Sequence, residues 1–156
     1  MIKILFICHG NICRSPMAEF VMKDIVAKNG MADDFHIESA ATTTDEIYRG
    51  VGNPIYPPAR DTLLRHGINP GEKRARQMRK EDYVKYDFLI GMDEENLEDM
   101  KWFFSDDPDG KISLLLDHTG SPRDVADPWY TRNFDVTYND VVVGCTALFE
   151  EITKRK

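Results

Sequence analysis

Apolar runs alternate with helical stripes along this chain, and that alternation predicts its architecture. Ile2 to Ile7 reads as a compact buried strand. From Pro16 to about Asn29, Met17, Phe20, Val21, Ile25 and Val26 recur at helical spacing, and Gly30 supplies a stop. Phe35 to Ala41 reads as a second strand, and Pro57 to His66 as a helix ended by Gly67, with Leu63 and Leu64 turned inward. Tyr86 to Met92 is a third strand, after which Asp93-Glu94-Glu95 puts favourable negative charge into the first turn of a helix. Lys111 to Leu116 is a fourth strand. Asn139 to Thr153 is the C-terminal helix, with Val141, Val142, Cys145, Leu148, Phe149 and Ile152 at core spacing. Strands alternating with helices are the signal of a parallel sheet. The pattern therefore predicts an α/β fold, a single-domain doubly wound sheet over residues 1–156 with helices on both faces. Its ligand crevice belongs beyond the C-terminal ends of the strands.

Composition narrows the class. A chain of 156 residues, 42% hydrophobic and 30% charged, matches an ordinary globular domain with a real core. No apolar run approaches the roughly 20 residues that span a bilayer. Met1-Ile2-Lys3-Ile4 enters a strand pattern without a basic leader, so a cytoplasmic location with no membrane partner is expected. The three cysteines, Cys8, Cys13 and Cys145, are an odd number, which argues against a disulfide framework. A net charge of −7 argues against nucleic-acid binding. The basic cluster Lys73 to Lys80 is flanked by acids and reads as solvated surface. His9, His36, His66 and His118 form no ligand spacing, so no metal and no cofactor are expected. His66 reads as a helix-end residue and His9 as a variable loop position.

The chemistry gathers where the first strand ends, in Cys8-His9-Gly10-Asn11-Ile12-Cys13-Arg14-Ser15-Pro16. Five residues between Cys8 and Arg14 are enough to curl the backbone so that successive N–H groups converge on one spot. Arg14 adds a planar fork suited to two phosphate oxygens. Pro16 favours a helix start whose dipole faces the same spot. Convergent amides, a helix terminus, Arg14 and the Ser15 hydroxyl all favour Cys8 as a thiolate, the form that attacks phosphorus. A buried structural cysteine would explain neither the Gly10-Asn11 kink nor Arg14-Ser15-Pro16.

Cys-x-Gly-Asn-Ile-Cys-Arg-Ser-Pro after an N-terminal strand resembles the signature of the low-molecular-weight protein tyrosine phosphatases. The similarity continues through Met17-Ala18-Glu19, Glu38-Ser39-Ala40-Ala41-Thr42 and Ala75-Arg76-Gln77. Gly91-Met92-Asp93-Glu94-Glu95-Asn96-Leu97 and Asp127-Pro128-Trp129-Tyr130 complete it in the family's order. The resemblance implies a four-stranded parallel sheet and hydrolysis of phosphotyrosine and aryl phosphates through a phosphocysteine. Cys8 is the implied nucleophile, and residues 9–15 (His9, Gly10, Asn11, Ile12, Cys13, Arg14 and Ser15) the implied phosphate-binding loop. Asp127 is the implied general acid, later the base for water. Read alone, Asp127-Pro128 is a turn; it acquires a catalytic reading only beside the loop signature.

The resemblance further implies that Asn11, Ser15 and Ser39 form a supporting network, with Asn11 in a left-handed conformation. Trp129 and Tyr130 would flank the substrate cleft, and Cys13 would pair reversibly with Cys8 under oxidation. Two departures stand out. Lys73 occupies the place of a family histidine that joins the network, which puts the usual network in question. Asp45 stands near an expected wall aromatic in a segment that runs longer than in relatives, through Tyr48 to Val51; Tyr48 is the candidate to refill the wall. An acidic rim there would disfavour acidic phosphopeptides. The expected partners are a phosphotyrosine-containing protein and inorganic phosphate as product, with the chain a monomer or weak dimer. The rivals are a thiol-dependent arsenate reductase and a phosphocysteine carrier. The first needs relay cysteines, absent between Cys13 and Cys145, and the second needs no acid at Asp127.

Overall fold

The computed structural model describes residues 1–154. Along the chain run β1 (Ile2–Cys8), α1 (Arg14–Lys28), β2 (Phe35–Ala41), β3 (Ile47–Tyr48), β4 (Val51–Gly52), α2 (Pro57–Arg65) and α3 (Lys80–Lys85). Then come β5 (Phe88–Gly91), α4 (Glu94–Phe103), β6 (Ile112–Leu114), α5 (Pro128–Thr131) and α6 (Phe134–Lys154). Strands β2-β1-β5-β6 form a four-stranded sheet in that order, every pairing parallel. From Ile4 to Cys8, β1 is continuously apolar because it is buried on both faces. Its alternation feeds two cores. Ile4, Phe6 and Cys8 pack with Met17, Val21, Leu63, Val141 and Leu148 of α1, α2 and α6. Leu5 and Ile7 pack oppositely, with Met78, Tyr86, Met100 and Phe104.

This order puts the functional end of the molecule in place. β2 lies on one side of β1 and β5 on the other, so the chain reverses its direction of winding at β1. The crevice of a doubly wound sheet opens at such a switch point, beyond the strand's C-terminal end. Cys8 is that end.

Several boundaries differ from the sequence pattern. α1 begins at Arg14, before Pro16, because the Met17 N–H already bonds the Cys13 carbonyl at 3.1 Å. Leu64 faces solvent: α2 is anchored by Ala59, Thr62 and Leu63, and the next position points away. The third and fourth strands stop early, at Gly91 and Leu114. A 3-10 turn over Leu115–Thr119 follows the latter, set by Asp117 accepting the Leu114 N–H at 3.0 Å. α6 starts at Phe134, upstream of Asn139, because Asn133 Oδ1 accepts the N–H groups of Asp135 and Val136, both at 3.2 Å. The basic segment is not uniformly solvated: Ala75 and Met78 are buried, Lys73 turns inward, and Arg76 holds both oxygens of Asp82 at 3.1 and 3.3 Å.

Candidate active site

Leaving β1, the chain wraps around the sulfur of Cys8. Asn11 takes a left-handed turn (φ 61°), as Asn tolerates better than most residues. Two backbone donors reach Cys8 Sγ, the Asn11 N–H at 3.3 Å and the Ser15 N–H at 3.4 Å, and the Ser15 hydroxyl is in hydrogen-bond contact with it at 3.0 Å. α1 carries no acidic residue in its first turn and no side-chain cap, so its terminal field acts on this spot undiluted. Arg14 is almost wholly buried. Its Nη1 bonds Asp93 Oδ2 at 2.8 Å and the Val125 carbonyl at 3.4 Å, and Nη2 lies 3.6 Å from Asp127 Oδ2. Burial opposes its charge, but Cys8, Asp93 and Asp127 outweigh that cost and hold its pKa above the usual guanidinium value.

Behind the loop a hydrogen-bond chain fixes the direction of each donor. Asn11 Nδ2 donates to Ser15 Oγ at 2.8 Å and to Ser39 Oγ at 2.9 Å, while its Oδ1 accepts the Arg76 N–H at 3.1 Å. Ser39 in turn donates to Glu19 Oε1 at 2.6 Å. The Ser15 hydroxyl, which accepts from Asn11, shares its other contact with the Cys8 sulfur and donates there when that sulfur is a thiolate. Lys73 joins this chain: its Nζ donates to the Ser39 carbonyl at 3.0 Å and lies 3.4 Å from Glu19 Oε1. Burial pulls the Lys73 pKa below its ordinary value, and Glu19 counters that. Lys73 thus supplies a positive partner at the network's end, so the departure seen in the sequence leaves it connected. The backbone presenting Arg76 is held by a close approach: a Cβ on Gly52 would fall 1.9 Å from the Ala75 carbonyl oxygen.

The loop floors a cavity of about 340 Å³. Asp127, Trp129 and Tyr130 line it, together with Glu46, Asp93, Glu95 and Asn96. Asp127 caps α5, accepting the Trp129 N–H through Oδ1 at 3.0 Å, which leaves Oδ2 toward Arg14. Its loop is pinned to α6: Asp140 accepts the Ala126 N–H at 3.0 Å, and Thr137 Oγ1 donates to the Ala126 carbonyl at 2.8 Å. Trp129 packs at 4.7 Å on Tyr56, whose ring also meets Phe134. Among the described residues no group of three or more His, Cys, Asp or Glu is placed to hold a metal ion.

Two predicted cleft residues lie elsewhere. Tyr48 does not line the cavity: β3 and β4 form a two-residue hairpin through Arg49 and Gly50, both at positive φ, and the Tyr48 ring is 71% exposed. Asp45 bonds His9 Nε2 at 2.6 Å, and its neighbour Glu46 lines the cavity instead. Cys13 lines the cavity too; burial, and then Cys8, push its thiol pKa up. His66 caps the end of α2 as predicted and stacks on Tyr138 at 4.0 Å. Cys145 is fully buried, 3.6 Å from the Ala18 carbonyl.

Sequence reasoning missed Asp93, which splits its carboxylate between capping α4 (Asn96 N–H at 2.8 Å) and holding Arg14. Its position as an Asp just past the third strand was the available signal. It also missed the inward roles of Glu19, Arg76 and Tyr56; the Tyr56 N–H fastens the loop at the Ile12 carbonyl, 2.9 Å away.

A parallel sheet whose first strand delivers a cysteine into an amide-and-arginine cradle defines a cysteine-dependent phosphatase architecture. The model of the low molecular weight phosphotyrosine protein phosphatases matches residues 3–156, and the chain belongs to that family. The Bacillus subtilis (strain 168) low molecular weight protein-tyrosine-phosphatase YfkJ is 36% identical, covering 100% of this chain and 99% of YfkJ. The low molecular weight phosphotyrosine protein phosphatase of Mus musculus is 35% identical, covering 95% of this chain and 94% of the mouse protein. The crystal structure of YfkJ superposes with a TM-score of 0.94 at 35% identity, covering 100% of this chain and 97% of that one. The chain is therefore a protein tyrosine phosphatase by family and fold, and these relatives favour neither an arsenate reductase nor a phosphocysteine carrier. Among the described residues no helix is long and apolar enough to cross a membrane.

Proposed function

We propose that the chain hydrolyses phosphotyrosine in cytoplasmic proteins through a phosphocysteine on Cys8, with Arg14 and Asp127 as its partners. One observation carries this assignment of roles: two backbone N–H donors and the Ser15 hydroxyl converge on Cys8 Sγ, within 3.0–3.4 Å, in the cavity that Arg14 and Asp127 share. That arrangement favours negative charge on sulfur. Sulfur attacks phosphorus and forms the P–S bond while Arg14 and the loop amides hold the equatorial oxygens. Asp127 delivers a proton to the ester oxygen as the P–O bond breaks. Water then attacks the phosphocysteine, Asp127 takes its proton, phosphate departs and the thiolate is restored. A cavity of about 340 Å³ walled by Trp129 suits one phosphoaryl side chain.

The test is turnover of an aryl phosphate in excess chelator, with acid quench on the millisecond scale. The expected result is undiminished turnover and phosphate label on the peptide that contains Cys8. Label elsewhere, or turnover that the chelator stops, would overturn the assignment.

Lys73→Met keeps the stem but removes the ammonium facing Glu19 and Ser39. We expect kcat/KM to fall about tenfold and the pH profile of Cys8 alkylation to move upward, with Lys73→Arg restoring most of both. A profile unmoved in Lys73→Met would place Lys73 outside the thiolate's support.

Cys13 supports a redox role. Burial, and then the nearby Cys8, push its thiol pKa up. Peroxide converts Cys8 to a neutral sulfenic acid, which lifts the second of these effects. Cys13 sulfur can then attack, forming the S–S bond as water leaves. Peroxide should inactivate the enzyme, dithiothreitol should restore it, and mass spectrometry should find the Cys8–Cys13 link. Cys13→Ser should lose that recovery; full recovery in this variant would dismiss the role.

A further inference from the structure

The floor of the cavity is built for a dianion, yet its mouth is negative. Glu46 and Glu95 both line it, contributed by separate segments. The stem of Glu46 lies on the phosphate loop, with its Cγ 3.0 Å from where a Gly10 Cβ would sit. Asn53 Nδ2 holds its carboxylate at 3.0 Å. His9 stands between Asp45 and Glu95, with Nε2 2.6 Å from the first and Nδ1 3.9 Å from the second. Arg14, the one lysine or arginine among the described residues that line the cavity, is already set between Asp93 and Asp127. Among the described residues of the lining no lysine or arginine is left to balance Glu46 and Glu95. Beside them Trp129 and Tyr130 are 52% and 86% exposed, Trp129 with its ring also against Tyr56. Carboxylates next to open aromatic faces attract ammonium and guanidinium groups in two ways, by charge and by cation–π contact.

We propose that Glu46, Glu95 and the Trp129–Tyr130 rings select phosphotyrosine flanked by lysine or arginine and reject phosphotyrosine flanked by acidic residues. This inference rests on the phosphatase reading above and narrows its substrate to cationic phosphopeptides. The mouth resists a bare dianion, and a neighbouring positive side chain cancels that resistance on approach. Each exposed pair is weak alone, so the preference accumulates over several contacts and is read in kcat/KM at low salt.

The experiment measures kcat/KM for three substrates: a small aryl phosphate, a phosphotyrosine peptide with lysines on both sides, and the same peptide with glutamates there. Wild type is compared with Glu46→Gln/Glu95→Gln at low and high ionic strength. The expected basic-to-acidic ratio is about tenfold at low salt, shrinking at high salt and falling to about threefold in the double variant. A wild-type ratio near one, or one that salt leaves unchanged, would overturn the selection, as would an equal ratio in the double variant. The salt series uses only wild type, so the proposal stays testable if the variant folds poorly. Failure of wild type on all three substrates would instead strike the phosphatase reading itself.

Discussion

Changing Cys8 to serine should lower turnover of every phosphate ester by about four orders of magnitude or more. The donors around the sulfur stabilise a charge that a thiol can develop but a serine hydroxyl barely can. The Asn11 N–H, Ser15 N–H and Ser15 hydroxyl cannot turn an alcohol into an alkoxide at neutral pH. No other cysteine can take over. Cys145 is wholly buried and its thiol is pushed up by that burial, while burial and then Cys8 push up Cys13. The fold should survive, because the smaller hydroxyl finds the same partners at the end of β1. Binding should therefore outlast catalysis: calorimetry with a phosphotyrosine peptide should give affinity at least equal to wild type, since a negative charge beneath the phosphate is gone. Turnover within about tenfold of wild type would remove Cys8 from the mechanism.

What could be read from the sequence depended on how far apart the cooperating residues lie. β1 was legible because burial on both faces writes an unbroken apolar run from Ile4 to Cys8. The loop was legible because Cys8, Asn11, Arg14 and Ser15 fall within one short segment and their residue types state their backbone demands; Asn11 adopts the left-handed turn. The groups that make the loop rigid arrive from afar and leave no local pattern. Asp93 looks like a helix cap and is one, but its second oxygen meets Arg14 only after β5 is placed beside β1. Lys73 looks like one charge in a basic run until the fold sets it against Glu19 and the Ser39 carbonyl. The longer segment after β2 was misjudged for a different reason. Arg49-Gly50 is the turn of a hairpin, and pairing of Ile47 with Gly52 carries Tyr48 outward rather than over the cavity. Leu64 failed through periodicity alone, since one step along α2 from Leu63 rotates a side chain by about 100°.

Asp127→Asn should separate substrates by how badly their leaving group needs a proton. The asparagine oxygen can still accept the Trp129 N–H that Asp127 Oδ1 accepts at 3.0 Å, so the cap on α5 and the loop should persist. The atom facing Arg14 at 3.6 Å then carries no transferable proton. Tyrosine leaves as a phenolate of pKa about 10 unless it is protonated on departure. Its release should slow by about 10²- to 10³-fold, within the range proton transfer contributes. An aryl phosphate with a strongly electron-withdrawing ring expels its phenolate unaided and should form the phosphocysteine at nearly the wild-type rate. Hydrolysis of that intermediate also loses its base, so rapid quench should find phosphorylated Cys8 accumulating with the activated substrate and not with phosphotyrosine. The measurement is the rate of phenol release across aryl phosphates, set against leaving-group pKa, with a steep negative slope in the variant and a shallow one in wild type. A uniform loss across the series would mean that Asp127 only holds Arg14 in place, and proton transfer would have to come from another group in the cavity.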